Sequence, residues 1–440
     1  MKSARQIAFE ALLKIHRDGA YSNLVVDAML KENPNLDERD KAFAANLVYG
    51  SLDRLILIDY NLGFYLNQPV KKLKPELHTV LILGAYQILF MDKVPNHAAV
   101  SESVNLARVN KSAFAASLVN AVLRRVADNG LRLPEGDENS AEFMAMKYSC
   151  PEWLIKLWID SYGIENAKGL ASKALEAPPV TVRTNITKTT SDELMWKLAE
   201  EGVIAEKSDL VENALLLSNT GAVEKLFAYG EGYFHAQDLS SQLCARAVDA
   251  KENETVFDLC SAPGGKTFTV AQYMNGTGCV FAFDVYQSRV ELIRSGAKRL
   301  GLSNVKADLS DATIYNESYG KADRILCDVP CSGLGIIRRK PEIRFKNPGE
   351  LKDLPQIQYK ILCNAVNYLK DGGRIVYSTC TLNPAENGDV CDRFLNEHPD
   401  FERVDIFPEI PRYSAEDKYL TLMPHIHGTD GFFIAVFKKK

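Results

Sequence analysis

No run of apolar residues in this 440-residue chain approaches the ~18 positions that a membrane-spanning helix needs. The N-terminal stretch MKSARQIAFEALLKIHRDG interrupts its apolar residues with Glu10, Lys14 and His16, which excludes a secretory signal of the usual kind. Cysteine is sparse: nine residues, no Cys-x-x-Cys anywhere, and Cys327 and Cys331 as the closest pair. That spacing fits neither a disulfide framework nor a zinc site of paired ligands, so we expect a reducing, cytoplasmic compartment and no bound metal. Positive charge is not in excess either. The 52 Lys+Arg face 57 Asp+Glu, a net of −5, which argues against a protein built around a large basic nucleic-acid footprint. Internal repeats and low-complexity segments are missing.

What is present is an ordinary globular composition, 46% hydrophobic and 25% charged, over a length that suggests about three domains. The charge is uneven. Residues 1–135 carry 17 basic and 14 acidic side chains, 136–235 carry 9 and 16, and 236–440 carry 26 and 27. Residues 1–130 read as all-helical, because ARQIAFEALLKI, KAFAANLVYGSLDRLILIDYNLGFYL and TVLILGAYQILFM repeat apolar residues at helical spacing. Asp37 is placed to cap a helix, and Pro95-Asn96 breaks the chain before another from about Ala98. The polar stretch LRLPEGDENS is the first linker candidate, so residues 1–135 form one expected domain. Residues 136–235 mix a helix near Trp153–Tyr162, a strand PVTVRTN, a helix from Ser191 to Glu201 and a strand NALLLS, which suggests a small α+β domain.

From about 236 to 440, strands alternate with helices. TVFDLC, CVFAFDV, VKAD, DRILCDV and RIVYSTC are short apolar runs, and helical stretches separate them. This predicts βαβ units in a parallel sheet covered on both faces, with GFFIAVFKK as a closing strand. Ligands of such a sheet bind beyond the strand C-termini, so the informative residues directly follow each strand.

After the first strand comes Asp258-Leu259-Cys260-Ser261-Ala262-Pro263-Gly264-Gly265-Lys266-Thr267. Paired glycines let the backbone turn tightly against a ligand, and the next helix offers unpaired N–H groups. A phosphate-binding P-loop is excluded, since its first glycine would fall at position 260, which is Cys. Asp284 ends the second strand, placed either to hydrogen-bond a ribose diol or to cap a helix. With the glycines it points to a nucleoside cofactor. Asp308, with Asp311 as a rival, follows the third strand and could accept from an adenine amino group. After the fourth and fifth strands come Asp328-Val329-Pro330-Cys331-Ser332-Gly333 and Tyr377-Ser378-Thr379-Cys380-Thr381. Cys260, Cys279 and Cys363 read as small buried apolar residues, whereas Cys331 and Cys380 end neighbouring strand-to-loop turns.

At these loops the sequence resembles the RNA cytosine-C5 methyltransferases of the Sun/RsmB type. The match rests on Cys260-Ser-Ala-Pro-Gly-Gly-Lys266-Thr, Asp328-Val-Pro-Cys331-Ser-Gly, Ser378-Thr-Cys380-Thr and His427-Gly-Thr-Asp-Gly-Phe432, in the family's order. One departure is Val329, where the family usually has alanine. The resemblance covers the whole chain: it implies a NusB-like helical domain that binds RNA or protein, a small RNA-recognition-like middle domain, and a Rossmann-like methyltransferase domain. It implies S-adenosylmethionine as cofactor, held by Cys260–Lys266, Asp284, Asp308 and Asp328. Small-subunit (16S) rRNA, free or in an early assembly intermediate, is the implied partner of a monomeric enzyme.

The chemistry of cytosine explains the two thiols. C5 is a poor nucleophile until a thiolate adds at C6 and makes an enamine of the ring; afterwards the C5 proton and the thiol must leave. A cysteine with a pKa of ~8.5 is only slightly ionised at neutral pH, yet is very nucleophilic. By resemblance Cys380 is the nucleophile, Cys331 assists product release, Asp328 holds the N3/N4 edge of the base, and Lys266 balances charge. Downstream, Arg338-Arg339-Lys340-Pro341-Glu342-Ile343-Arg344-Phe345-Lys346 has five basic side chains against one acid. It reads as an RNA phosphate clamp through Arg338, Arg339, Lys340 and Arg344, or as a solvated loop. The Lys438–Lys440 tail reads as a frayed end.

Two rivals stay open. An amino-methylating enzyme would carry a Pro-Pro-aromatic run where Cys331 stands. A ribosome-assembly or antitermination factor would need only the NusB-like part. Methylation of tRNA or another RNA is a variant of the main reading.

Overall fold

The computed structural model describes residues 2–110 and 113–440. The chain divides into two compact units, Met1–Ala177 with Ile337–Lys346, and Pro178–Ile336 with Asn347–Lys440. These units part near 177.

The first unit is helical. Helix Pro75–Phe90 lies at its centre, and Leu77, Val80, Leu81, Ile82, Leu83 and Ala85 around its circumference are all at most 5% exposed. A helix apolar on every face has to be enclosed, here by Ala4–Asp18, Glu38–Asp53, Leu55–Gly63, Asn96–Val109 and Ala116–Asn129. Asp37 caps its helix as expected, taking the Asp40 N–H at 2.7 Å. Helices Ala141–Lys147, Glu152–Tyr162 and Ile164–Lys173 complete the unit.

The second unit holds two sheets. Strands β1 (Val180–Thr184), β2 (Ile204–Lys207), β3 (Ala214–Ser218) and β4 (Phe234–Ala236) form an antiparallel sheet in the order β2-β3-β1-β4. Strands β5 (Thr255–Asp258), β6 (Cys279–Asp284), β7 (Val305–Leu309), β8 (Ala322–Asp328), β9 (Leu369–Thr379), β10 (Phe401–Val404), β11 (Leu420–Leu422) and β12 (Phe432–Lys439) form the larger sheet. Its order is β10-β12-β9-β8-β5-β6-β7, with β11 beside β12. Strands β5 to β9 are parallel neighbours, as the alternation predicts. The sheet is nevertheless mixed, because β12 runs antiparallel to β9, β10 and β11. Two short strands, β10 and β11, carry too little alternation to be read from sequence. The C-terminal lysines are not frayed: Lys438 and Lys439 pair with β10, and Lys439 Nζ meets Asp371 at 2.6 Å.

Val211 and Ala214 of the small-sheet region share one buried cluster with Leu243, Phe268, Ala271 and Leu300 around the large sheet. A common core is the physical reason these two sheets form one unit.

Candidate active site

The parallel strands end on one edge, and their following loops meet there. Strand β5 delivers Asp258 and then the glycine loop. Gly264 has φ +108°, and a Cβ on it would lie 2.4 Å from the Phe268 ring, so only glycine serves. Ser261 fastens the loop to β6, donating both its N–H and its hydroxyl to the Phe283 carbonyl at 2.9 Å. Helix Gly265–Tyr273 starts without a side-chain cap, which leaves its first N–H groups for a ligand.

Asp258 itself points inward. It is 2% exposed and accepts from Thr267 Oγ1 at 2.6 Å; burial, with Asp328 adding, pushes its carboxyl up to about 7. Asp284 is buried at the end of β6; one oxygen takes the Tyr286 N–H at 3.0 Å, and Arg289 lies 3.7 Å from the other. Asp308 is exposed at the end of β7, accepting from Tyr319 Oη at 3.2 Å, while its rival Asp311 closes a local turn with Thr313.

Strands β8 and β9 are parallel partners, with Asp328 opposite Ser378. The loops beyond them bring Cys331 Sγ and Cys380 Sγ to 3.2 Å, both free thiols and partly buried. The hydrogen bond to Cys380 and burial push the Cys331 thiol well up, and either sulfur can be the donor of the pair. The Cys260 thiol is pushed well up by burial, with Cys327 adding. Asp328 takes Lys266 Nζ on one oxygen and Ser378 Oγ on the other, both at 2.8 Å. Burial opposes the Lys266 charge, but Asp328, with Cys244 and Cys380 adding, holds the ammonium above its ordinary range. The same Nζ sits 5.0 Å from the centre of the Phe432 ring.

The sequence left one organising residue unassigned. Glu386, fully buried, takes the Ser332 N–H at 2.8 Å and the Ser332 hydroxyl at 2.5 Å. Gln358 and Asn383 fill its remaining lone pairs. A buried carboxylate with four donors rigidly fixes the turn that carries Cys331. The signal was its place in Asn383-Pro384-Ala385-Glu386, a helix start just beyond Cys380. The terminal Gly431 also finds its role: its N–H donates to the Gly335 carbonyl at 2.9 Å, and Gly335 in turn donates to the Cys380 carbonyl at 3.0 Å.

The phosphate clamp needs correction. Segment 337–346 belongs to the helical unit, not to the unit holding Cys331. Arg344 has no exposed surface. Its guanidinium donates to the carbonyls of Asp53, Ser149 and Ala174 and to the Asp53 carboxylate at 3.0–3.2 Å, so it cannot reach RNA. Glu342 accepts from the Ser22 N–H and hydroxyl, and Lys340 Nζ lies 5.0 Å over the Tyr21 ring. Arg338, Arg339 and Lys340 are partly exposed.

Comparison with known proteins agrees with this architecture. Residues 245–438 match the family described as 16S rRNA methyltransferase RsmB/F, residues 2–128 match the NusB family, and residues 150–224 match the ferredoxin-like domain of RsmF/B-like methyltransferases. The chain is 41% identical to the probable ribosomal RNA small subunit methyltransferase B of Bacillus subtilis (strain 168), over 100% of this chain and 99% of that protein. It is 31% identical to the ribosomal RNA small subunit methyltransferase B of Proteus mirabilis (strain HI4320), over 99% and 98%. The crystal structure of PH0851 superposes with a TM-score of 0.84 at 26% identity, covering 99% of each chain. With its NusB-like, ferredoxin-like and methyltransferase domains in one chain, the protein belongs to the ribosomal RNA small subunit methyltransferase B family.

Proposed function

We propose that the protein is an RNA methyltransferase that transfers a methyl group from S-adenosylmethionine to C5 of a cytosine in small-subunit rRNA, through a covalent Cys380–C6 bond. The observation that carries this reading is the pair of free thiols 3.2 Å apart at the ends of adjacent parallel strands, next to the Lys266–Asp328 ion pair.

The residues present fit the cofactor. The uncapped helix start at Gly265 and the tight turn at Gly264 leave backbone N–H groups for its charged end. Asp284 would hold the ribose hydroxyls, Asp308 the adenine edge, and Asp328 would border the reacting centre. When bound, S-adenosylmethionine supplies an electrophilic sulfonium methyl.

The chain's own groups do the rest. Cys380, taking the hydrogen bond of Cys331, adds as thiolate to C6, and the C5–C6 electron pair becomes available at C5. Asp328 accepts from the N4 amino group of the cytosine, with Lys266 balancing its charge. C5 so activated could accept the methyl group that a bound S-adenosylmethionine would supply. Water then takes the C5 proton, the C5–C6 double bond re-forms and Cys380 leaves as a thiolate, a departure that Cys331 assists by donating its hydrogen bond. Arg338, Arg339 and Lys340 remain candidates for RNA contact on the helical unit.

Incubation with tritiated S-adenosylmethionine and unmodified small-subunit rRNA, followed by nucleoside analysis, tests this reading. Labelled 5-methylcytidine is the expected product. A methylated amino group would instead mark an amino-methylating enzyme, and no incorporation would favour an assembly factor. Label in tRNA but not in rRNA would shift the substrate.

A further inference from the structure

Cys331 and Cys380 stand in different loops, after β8 and β9, so their 3.2 Å approach needs something that spans both. The chain just before helix Gly388–Glu397 spans them with two consecutive residues. Asn387, 2% exposed, grips the residues on either side of Cys380. Thr379 Oγ1 donates to its Oδ1 at 2.5 Å, and its Nδ2 donates to the Thr381 carbonyl at 2.9 Å. Glu386 grips Ser332, directly after Cys331. Gln358 Nε2 holds the residue before Cys331, donating to the Pro330 carbonyl at 3.0 Å and to Glu386 Oε2 at 2.9 Å. Each thiol is thus bracketed from one member of the pair. Neighbouring α-carbons lie about 3.8 Å apart, so the two grips cannot drift from each other. The pair is itself tied down: the Glu386 carbonyl takes the Tyr377 hydroxyl from β9, and the Asn387 carbonyl takes the Cys391 N–H of the helix.

A second link joins the loops one residue beyond each thiol. Ser332 Oγ and Thr381 Oγ1 lie 2.6 Å apart, and neither residue has exposed surface. Ser332 has a single hydroxyl hydrogen, which goes to Glu386, so Thr381 is the donor between the two hydroxyls. The buried chain therefore runs from Thr381 to Ser332 to Glu386. Removing one hydroxyl from it strands a neighbour that water cannot reach.

We propose that Glu386 and Asn387 are positioning residues that set the spacing of the two thiols, with the Ser332–Thr381 bridge as their cross-link. The proposal rests on the reading that Cys331 and Cys380 serve one reaction. It assigns the thiol spacing to a dipeptide that touches neither cofactor nor base.

Phenylarsine oxide measures that spacing without RNA: its single arsenic forms bonds to two neighbouring thiols and loses its oxygen as water. In the wild-type full chain it should bridge Cys331 to Cys380, as read by mass spectrometry of the linked peptides. Thr381→Val deletes one hydroxyl and should weaken bridging and lower kcat by about tenfold each, one buried hydrogen bond's worth, with S-adenosylmethionine affinity unchanged. Thr381→Ser restores the hydroxyl and should recover both, a rescue that a general loss of fold would not show. Asn387→Leu, which releases both sides of Cys380, should weaken bridging further. Wild-type bridging in both Thr381→Val and Asn387→Leu would overturn the proposal, as would a wild-type chain in which these two thiols are not bridged. Bridging that responds to the variants while the wild type makes no 5-methylcytidine would sink the proposed function and keep the positioning pair.

Discussion

Asp258 stands at the end of β5 with almost no exposed surface, and its carboxyl is pushed up to about 7 by burial. An acid whose folded pKa exceeds its unfolded value, near 3.9, favours the folded state most when protonated. Its contribution is therefore full below about pH 4 and is lost as pH rises towards 7. Asp258→Asn keeps an acceptor for Thr267 but no longer titrates. Thermal unfolding from pH 5 to 8 should thus show the variant gaining on the wild type, by on the order of 2–3 kcal/mol. Parallel profiles would contradict the buried, raised carboxyl. The residue was visible in the sequence as the first letter of the glycine motif. Its inward direction was not, because the alternation of a strand buried on both faces does not separate a ligand-facing acid from an enclosed one.

Elements place the two cysteines more than any single side chain does. Gly335 lies where the Cys331 loop, the Cys380 loop and the C-terminal motif cross; a Cβ on it would sit 2.0 Å from the Gly431 carbonyl oxygen and 2.9 Å from that of Cys380. Those atoms are backbone and cannot swing aside. Gly335→Ala should therefore cost about 2–4 kcal/mol in denaturant unfolding and separate the thiols, with a matching loss of methyl transfer. Gly388→Ala, with nothing within 4 Å of the added carbon, should behave as wild type. Equal behaviour of the two would deny that this crossing holds the site.

The segment 337–346 teaches the same lesson from the other side. Its charges are legible in the sequence, yet the partner that decides their meaning, Asp53, lies 291 positions away. Arg344→Ala leaves that carboxylate and three carbonyls without their donor, so unfolding should be easier by about 3 kcal/mol. Arg344→Gln, which removes the charge, should leave the salt slope of RNA binding by the folded protein unchanged. A reduced slope for Arg344→Gln would restore the clamp.

Over the whole molecule, the net charge of −5 hid the enclosure of Arg344. The loops of the candidate site were legible because each one directly follows a strand, and a short motif specifies each turn locally. Glu386, the small strands β10 and β11, and the packing of the basic segment were not, because each depends on contacts distant in sequence. What the three domains serve, on this account, is one bond between Cys380 and a cytosine. Denaturing electrophoresis of the protein after reaction with labelled small-subunit rRNA tests that bond directly. Cys331→Ala, unable to assist release, should accumulate an RNA–protein adduct, and Cys380→Ala should form none. An adduct that survives in Cys380→Ala and is missing from Cys331→Ala would reverse the roles and contradict the account.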